Sequence, residues 1–154
     1  MQVHIGVDAD SGLVHTVRGT AANVSDVVVA NSLLHRQEAD GNGDAGYQGV
    51  GKRAEVPKDL KWHTTMKRSK RKALELLKPI AALQEQLEQV KSSIRAKVEH
   101  PFRVIKRQFG HVKTRYRGLK KNPQQLHTLF ALANLWMARG RSRGFTTLKA
   151  AARA

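Results

Sequence analysis

Val3, Ile5 and Val7 alternate with polar neighbours, which is the period of a strand with one buried face. Asp8-Ala-Asp-Ser-Gly12 then supplies turn residues, and a second strand-like run extends from Leu13 to Thr20, so the first twenty residues predict a β-hairpin. Asn23 or Ser25 can cap a helix running to about Arg36, although Val27, Val28 and Val29 suit a strand better by propensity. From Gln37 to Arg53 the density of glycine predicts a loop that carries Asp44. Leu60, Trp62, Thr64 and Met66 alternate again and predict one short strand.

Beyond residue 66 the period changes from two to between three and four. Leu74, Leu77, Ile80, Leu83, Leu87, Val90, Ile94 and Val98 predict a long helix with one face made for burial, continued by Phe102, Ile105 and Phe109. Pro101 removes a backbone donor and pushes His100 away from helical angles, so this helix is expected to kink or restart just after Glu99. Asn122 caps a last helix with Pro123 at its first position, followed by Leu126, Leu129, Phe130, Ala133, Trp136 and Met137. Its stop is expected near Gly140, which divides the chain into one domain over residues 1–139 and a basic, disordered tail over 140–154.

Composition adds a partner to this outline. The 154 residues carry a formal charge of +16, which points to a polyanion, and nucleic acid is the commonest one. The charge is unevenly placed: residues 1–50 sum to −4 and the remainder to +20, so a phosphate-binding surface belongs after residue 50. The six-residue cluster KRSKRK at Lys67 to Lys72 is its densest part, either a phosphate clamp through Lys67, Arg68, Lys70, Arg71 and Lys72 or a solvated charge cluster before a helix. The same cluster ahead of Ala73, Leu76, Ile80, Leu83, Leu87, Val90 and Ile94 imitates a basic zipper, with Pro79 standing in its path. Few aromatic residues argue for backbone contacts over base stacking.

Several chemistries drop out. Zero cysteines remove disulfides, thiolate zinc sites and thiol catalysis, in keeping with a reducing cytoplasm. No apolar run approaches a membrane span or a signal peptide, so the chain is expected to be soluble, with no membrane partner. Gly46 to Arg53 imitates a phosphate-binding loop but ends in Arg in place of Ser or Thr. Asp8-Ala-Asp10 begins like a calcium loop, yet Gly19 stands where a bidentate Glu is required. The seven histidines are dispersed without zinc-site spacing, and His63, His100 and His127 read as structural or surface groups. No Ser-His-Asp arrangement emerges.

What remains is the run Arg95 to Lys106, which sets one carboxylate, Glu99, among cations at the spacing Arg-x3-Glu-x6-Lys. On one helix Arg95, Glu99 and Lys106 fall within about 40° of one another, beside the apolar stripe. Spacing alone leaves two readings open. Asp44 and Glu99 are metal ligands, or Asp44 is a turn residue and Glu99 pairs with Arg95 one helical turn away.

The run resembles the Tyr-x2-Arg-x3-Glu-x6-Lys signature of the bacterial insertion-sequence DDE transposases. The likeness extends to RYRGL at Arg115 to Leu119, HTLFALANLW at His127 to Trp136 and DAGYQG at Asp44 to Gly49. It implies an α+β, partial ribonuclease-H-like fold with the hairpin first and helices last. It also implies DNA transposition, with Mg2+ or Mn2+ held by acidic residues for strand cutting and joining. Asp44 matches the second acid and Glu99 the third, and Arg95, Lys106, Arg115 and Arg117 join the expected DNA contacts. Departures accompany the match. Ser92 stands where the signature has Tyr, and Asp40-Gly-Asn-Gly replaces the apolar strand that delivers the second acid. The family's first Asp precedes the segment starting at Gln2, so a truncated or decaying copy is expected, inactive alone. The competing reading is a catalytically dead basic DNA-binding or inhibitory module. Homo-oligomers or pairing with a full-length relative, and a place in the cytoplasm near the nucleoid, complete the expectation.

Overall fold

A computed structural model describes residues 1–35, 37–74 and 78–151. Strands β1 (Gln2–Val7) and β2 (Val14–Thr20) form the expected antiparallel hairpin, with a register shift at Gly6 and Val7. The turn closes through the Gly12 amide donating to the Asp8 carbonyl at 2.8 Å and the Ser11 amide donating to the Asp8 carboxylate at 2.5 Å. Gly12 has φ 62°, which explains a glycine there. Helix α1 (Asp26–Leu33) follows, so the three valines are helical and tertiary packing outweighs their strand propensity. Arg36, at the expected end of this helix, lies outside the described residues.

Asp40–Gly43, expected as loop, is strand β3, paired in parallel with β4 (Lys61–Thr64). The ladder and close packing account for it. A Cβ on Gly41 would lie 3.2 Å from the Trp62 ring, and one on Gly43 would lie 2.8 Å from the Tyr47 side chain. Glycine lets both aromatic residues approach the backbone, which compensates for its poor strand propensity.

Helix α2 (Arg68–Lys72) carries the basic cluster, and the long helix α3 (Pro79–Arg107) starts separately with Pro79 in its first turn. Pro79 therefore opens this helix, and the zipper reading loses its continuous basic arm. Leu76 and Leu77 lie outside the described residues. Helix α3 does not restart at Pro101, which sits fully buried in its interior; the proline loses its own N–H bond and crowds the carbonyl four residues back, and burial of the ring offsets part of that cost. The expected buried stripe holds only in the second half. Val104 and Ile105 are buried, whereas Ile80, Leu83, Leu87 and Val90 are between 54 and 72 % exposed.

Helix α4 (Lys121–Ala151) passes through Gly140 without stopping. One interior glycine costs about 1 kcal/mol relative to alanine, too little to end a helix anchored by its earlier turns. The backbone over 141–151 is thus helical where a disordered tail was expected, and residues 152–154 lie outside the described residues. Asn122 is a loop anchor and not the expected cap: its side chain accepts from the Tyr116 amide at 3.1 Å and donates to the Tyr116 and Gly118 carbonyls at 2.6 and 2.8 Å.

Two cores result. Ile5, Val14 and Val17 of the hairpin pack on Val104 and Ile105 of α3 and on Leu126, Phe130, Ala133 and Met137 of α4. Phe102 meets Phe130 edge-on at 5.3 Å. Asn134 fastens α4 to the hairpin by bonds to both the amide and the carbonyl of Val14, at 2.9 and 2.7 Å. The smaller core gathers Ala30, Val50, Val56 and Leu60 beneath Tyr47 and Trp62.

Candidate functional site

Asp44 ends β3. Its side chain accepts from the Gly46 amide at 2.8 Å and so caps the 3-10 turn Ala45–Tyr47. Glu99 stands on α3, and Arg95 lies one turn before it. The Arg95 guanidinium reaches the Asp44 carboxylate at 3.6 Å and the Glu99 carboxylate at 3.5 Å. Two acids 55 residues apart in sequence are thereby brought to one cation. Of the alternatives left open by spacing, the contacts seen are those of the second: Asp44 caps a turn and Glu99 pairs with Arg95, with Asp44 sharing the same guanidinium.

Surrounding groups complete this end of the site. Asp26 accepts from the Gln2 side chain at 2.8 Å and lies 3.3 Å from the buried His4 ring. It also flanks Gly46, where a Cβ would meet the carboxylates of Asp26 at 2.9 Å and Asp44 at 3.0 Å. Tyr47 stacks on Trp62 at 6.3 Å. Burial, then the charges of Asp26 and Asp44, push its hydroxyl up to about 12, so it stays protonated at neutral pH. Asp26 was not singled out from sequence, where it reads as an ordinary first-turn residue of a helix.

These residues line a cleft of about 530 Å3 bounded by β1, by β3 and Asp44, and by Ile94, Arg95, Val98, Glu99 and Phe102 of α3. Strands β1 and β3 belong to separate two-stranded sheets. They run in opposite senses, because Gln2 at the start of β1 reaches Asp26 beside Gly46, while Gly6 near its end meets His15, which neighbours Glu38 just before β3. The cleft therefore lies between two strand edges that share no ladder.

Lys106 is exposed on α3 and is not part of the cleft wall. Lys67, Arg68, Lys70 and Lys72 are exposed, as are Arg115 and Arg117 in the loop that Asn122 holds. Arg71 differs. It forms a two-pronged pair with Glu85 at 2.5 and 2.9 Å and donates to Ser92 at 3.4 Å, so it joins α2 to α3. Ser92, standing at the signature's Tyr position, thus takes part in this clasp.

At the other end of the cleft, His15, His35 and Glu38 place one ligand atom each within 4.8 Å of one another. Among the described residues no other trio of His, Cys or acidic side chains does so. The dispersal of the histidines in sequence hid this cluster, since His15 sits on the hairpin and the other two follow α1.

A family model, the transposase DDE domain, matches residues 1–135. The chain belongs to the transposase DDE domain family. Membership supports a role in DNA transposition, and the family implies a DNA substrate and use of a divalent metal. No solved structure matches the chain. The DDE chain is a mixed α/β structure with an N-terminal hairpin and C-terminal helices. Among its described residues no helix is long and apolar enough to cross a membrane.

Proposed function

We propose that this chain serves DNA transposition as a DDE catalytic-domain segment of ribonuclease-H-like fold, spanning residues 1–139. In this reading Asp44 and Glu99 are metal ligands, and the basic half holds the DNA backbone. The observation that carries it is the convergence of Asp44 and Glu99 on the Arg95 guanidinium. Carboxylate oxygens are the donors that Mg2+ and Mn2+ take, and two carboxylates already within reach of one cation fit such an ion as a partial ligand set. When bound, the ion would stabilise charge on a phosphodiester and lower the pKa of the attacking hydroxyl.

The chain's own residues prepare that chemistry. The Gly46 amide orients Asp44, and the continuous α3 helix sets Glu99 one turn from Arg95. Arg95 balances the two negative charges and, in this reading, steadies the phosphate. Lys67, Arg68, Lys70, Lys72, Lys106, Arg115 and Arg117 are exposed and read as phosphate contacts, whereas Arg71 is committed to Glu85. By the resemblance a first Asp comes on a strand ahead of Gln2.

The test measures nicking and joining of labelled duplex DNA with Mg2+ or Mn2+, for the 154-residue chain and for a version with an Asp-bearing strand fused ahead of Met1. The expected outcome is activity only in the fused form, lost again on Glu99→Ala. Nicking by the unfused chain that Glu99→Ala abolishes would show that two carboxylates suffice. The second reading, a DNA-binding module without catalysis, draws on the Arg95 guanidinium already pairing with both carboxylates. Salt-sensitive DNA binding by a fused form that never nicks would favour it.

A further inference from the structure

We propose that His15, His35 and Glu38 form a second metal site that takes a divalent first-row transition ion, Zn2+ foremost, and clips the hairpin to the segment leading into β3. Its ligands come from separate parts of the chain, yet their ligand atoms lie within 4.8 Å of one another, and the two imidazole rings stand 4.6 Å apart at 61°. Two imidazoles and one carboxylate are a borderline-soft donor set that zinc accepts readily and magnesium does not, with a fourth position open to water.

Three features show that the ligands are held in place. Glu38 accepts from the His35 and Gln37 amides at 2.8 and 3.1 Å, so its carboxylate is fixed by backbone. The Nδ1 atom of His15 is 2.9 Å from the Thr16 hydroxyl, an outer partner of the kind that orients a metal-bound imidazole. The His15 ring also lies over a position that must lack a side chain: a Cβ on Gly6 would meet it at 2.5 Å. Glycine at the register shift of β1 makes room both for this ring and for the Leu33 carbonyl, which a Cβ would meet at 2.7 Å.

The location gives the site its role. The Asp44 and Glu99 end of the cleft is built from β3, its following turn and α3, whereas this trio joins β2 to the connection between α1 and β3. The two sheets share no ladder, so an ion here ties them across the cleft that separates them. It acts as a structural clasp, distinct in donor chemistry from the proposed Mg2+ ligands.

The test uses the tag-free 154-residue chain, stripped with a chelator and titrated with Zn2+ by calorimetry, with Co2+ as the optical probe. We expect one equivalent of Zn2+ to bind with micromolar or tighter affinity, a raised melting temperature, and tetrahedral Co2+ absorption bands that Zn2+ displaces and millimolar Mg2+ does not. His35→Ala and Glu38→Gln should each weaken Zn2+ at least tenfold while far-UV circular dichroism stays unchanged; Asp44→Asn with Glu99→Gln should leave it intact. Absence of Zn2+ binding at 100 µM would overturn the proposal. So would Zn2+ affinity that survives His35→Ala, or that disappears in the Asp44→Asn and Glu99→Gln variant.

Discussion

Glu88 is a buried acid that fastens β4 to α3, and its removal should be costly. It is 3 % exposed on α3, where its carboxylate accepts from the Met66 amide at 2.7 Å and pairs with Lys91 at 2.9 Å. Lys91 also donates to the Thr64 carbonyl at 3.2 Å. One side chain thus fastens the end of β4, and through it β3 and Asp44, to the helix that carries Glu99. Glu88→Ala leaves the Met66 amide unsatisfied and Lys91 without its counter-charge. Removing one partner of a buried pair costs about 3–5 kcal/mol, and the lower end applies because Lys91 keeps its carbonyl partner. At about 2–4 °C per kcal/mol for a chain of this length, the melting temperature should fall by about 6–12 °C in differential scanning calorimetry.

The effect should depend on pH with a definite sign. Burial raises the Glu88 carboxyl, but the Met66 amide, Lys91 and Arg71 more than offset it, so its folded pKa lies below the ordinary 4.5. A depressed acid stabilises the fold above its unfolded pKa and loses that contribution as pH falls through the folded one. The difference in melting temperature between wild type and Glu88→Ala should therefore be full near neutrality and shrink below about pH 4. A drop of less than about 2 °C at neutral pH, or a gap that widens in acid, would refute the reasoning.

Other outcomes follow from the same geometry. DNA binding should be sequence-independent and steeply salt-sensitive, with log K falling about 0.9 per phosphate neutralised for each tenfold rise in salt, and a flat salt titration would contradict it. Lys67→Ala with Arg68→Ala should lower that slope by up to about 1.8 without changing the melting temperature, because both side chains are exposed. Arg71→Ala should do the reverse, lowering thermal stability through loss of the Glu85 clasp while the salt slope holds. Asn122→Ala should speed amide exchange over Arg115 to Leu119 and destabilise the fold by about 1–3 kcal/mol, read by urea unfolding. Phe130→Ala, at 1 % exposure between the hairpin and α3, should cost about 3–5 kcal/mol on the same urea axis.

The sequence by itself determined the elements that local pattern controls. Alternation of Val3, Ile5 and Val7 before a cluster of turn residues produced the hairpin. A period between three and four, with Pro79 and Pro123 near their starts, produced the two long helices, and the spacing of Arg95 and Glu99 placed them one turn apart. Only the tertiary structure decided the rest. Asp40–Gly43 has no strand propensity and becomes β3 because β4 offers a ladder and Trp62 covers Gly41. Ile80, Leu83, Leu87 and Val90 have the period of a buried face and stay exposed among the described residues, since periodicity shows which side chains share a face and not what packs against them. Arg71 looked like its neighbours in KRSKRK until Glu85 came within 2.5 Å. The meeting of Asp44 with Glu99, and of His15 with His35 and Glu38, depends on contacts between segments far apart in the chain. Such proximity is set by how the two cores assemble and not by any local spacing.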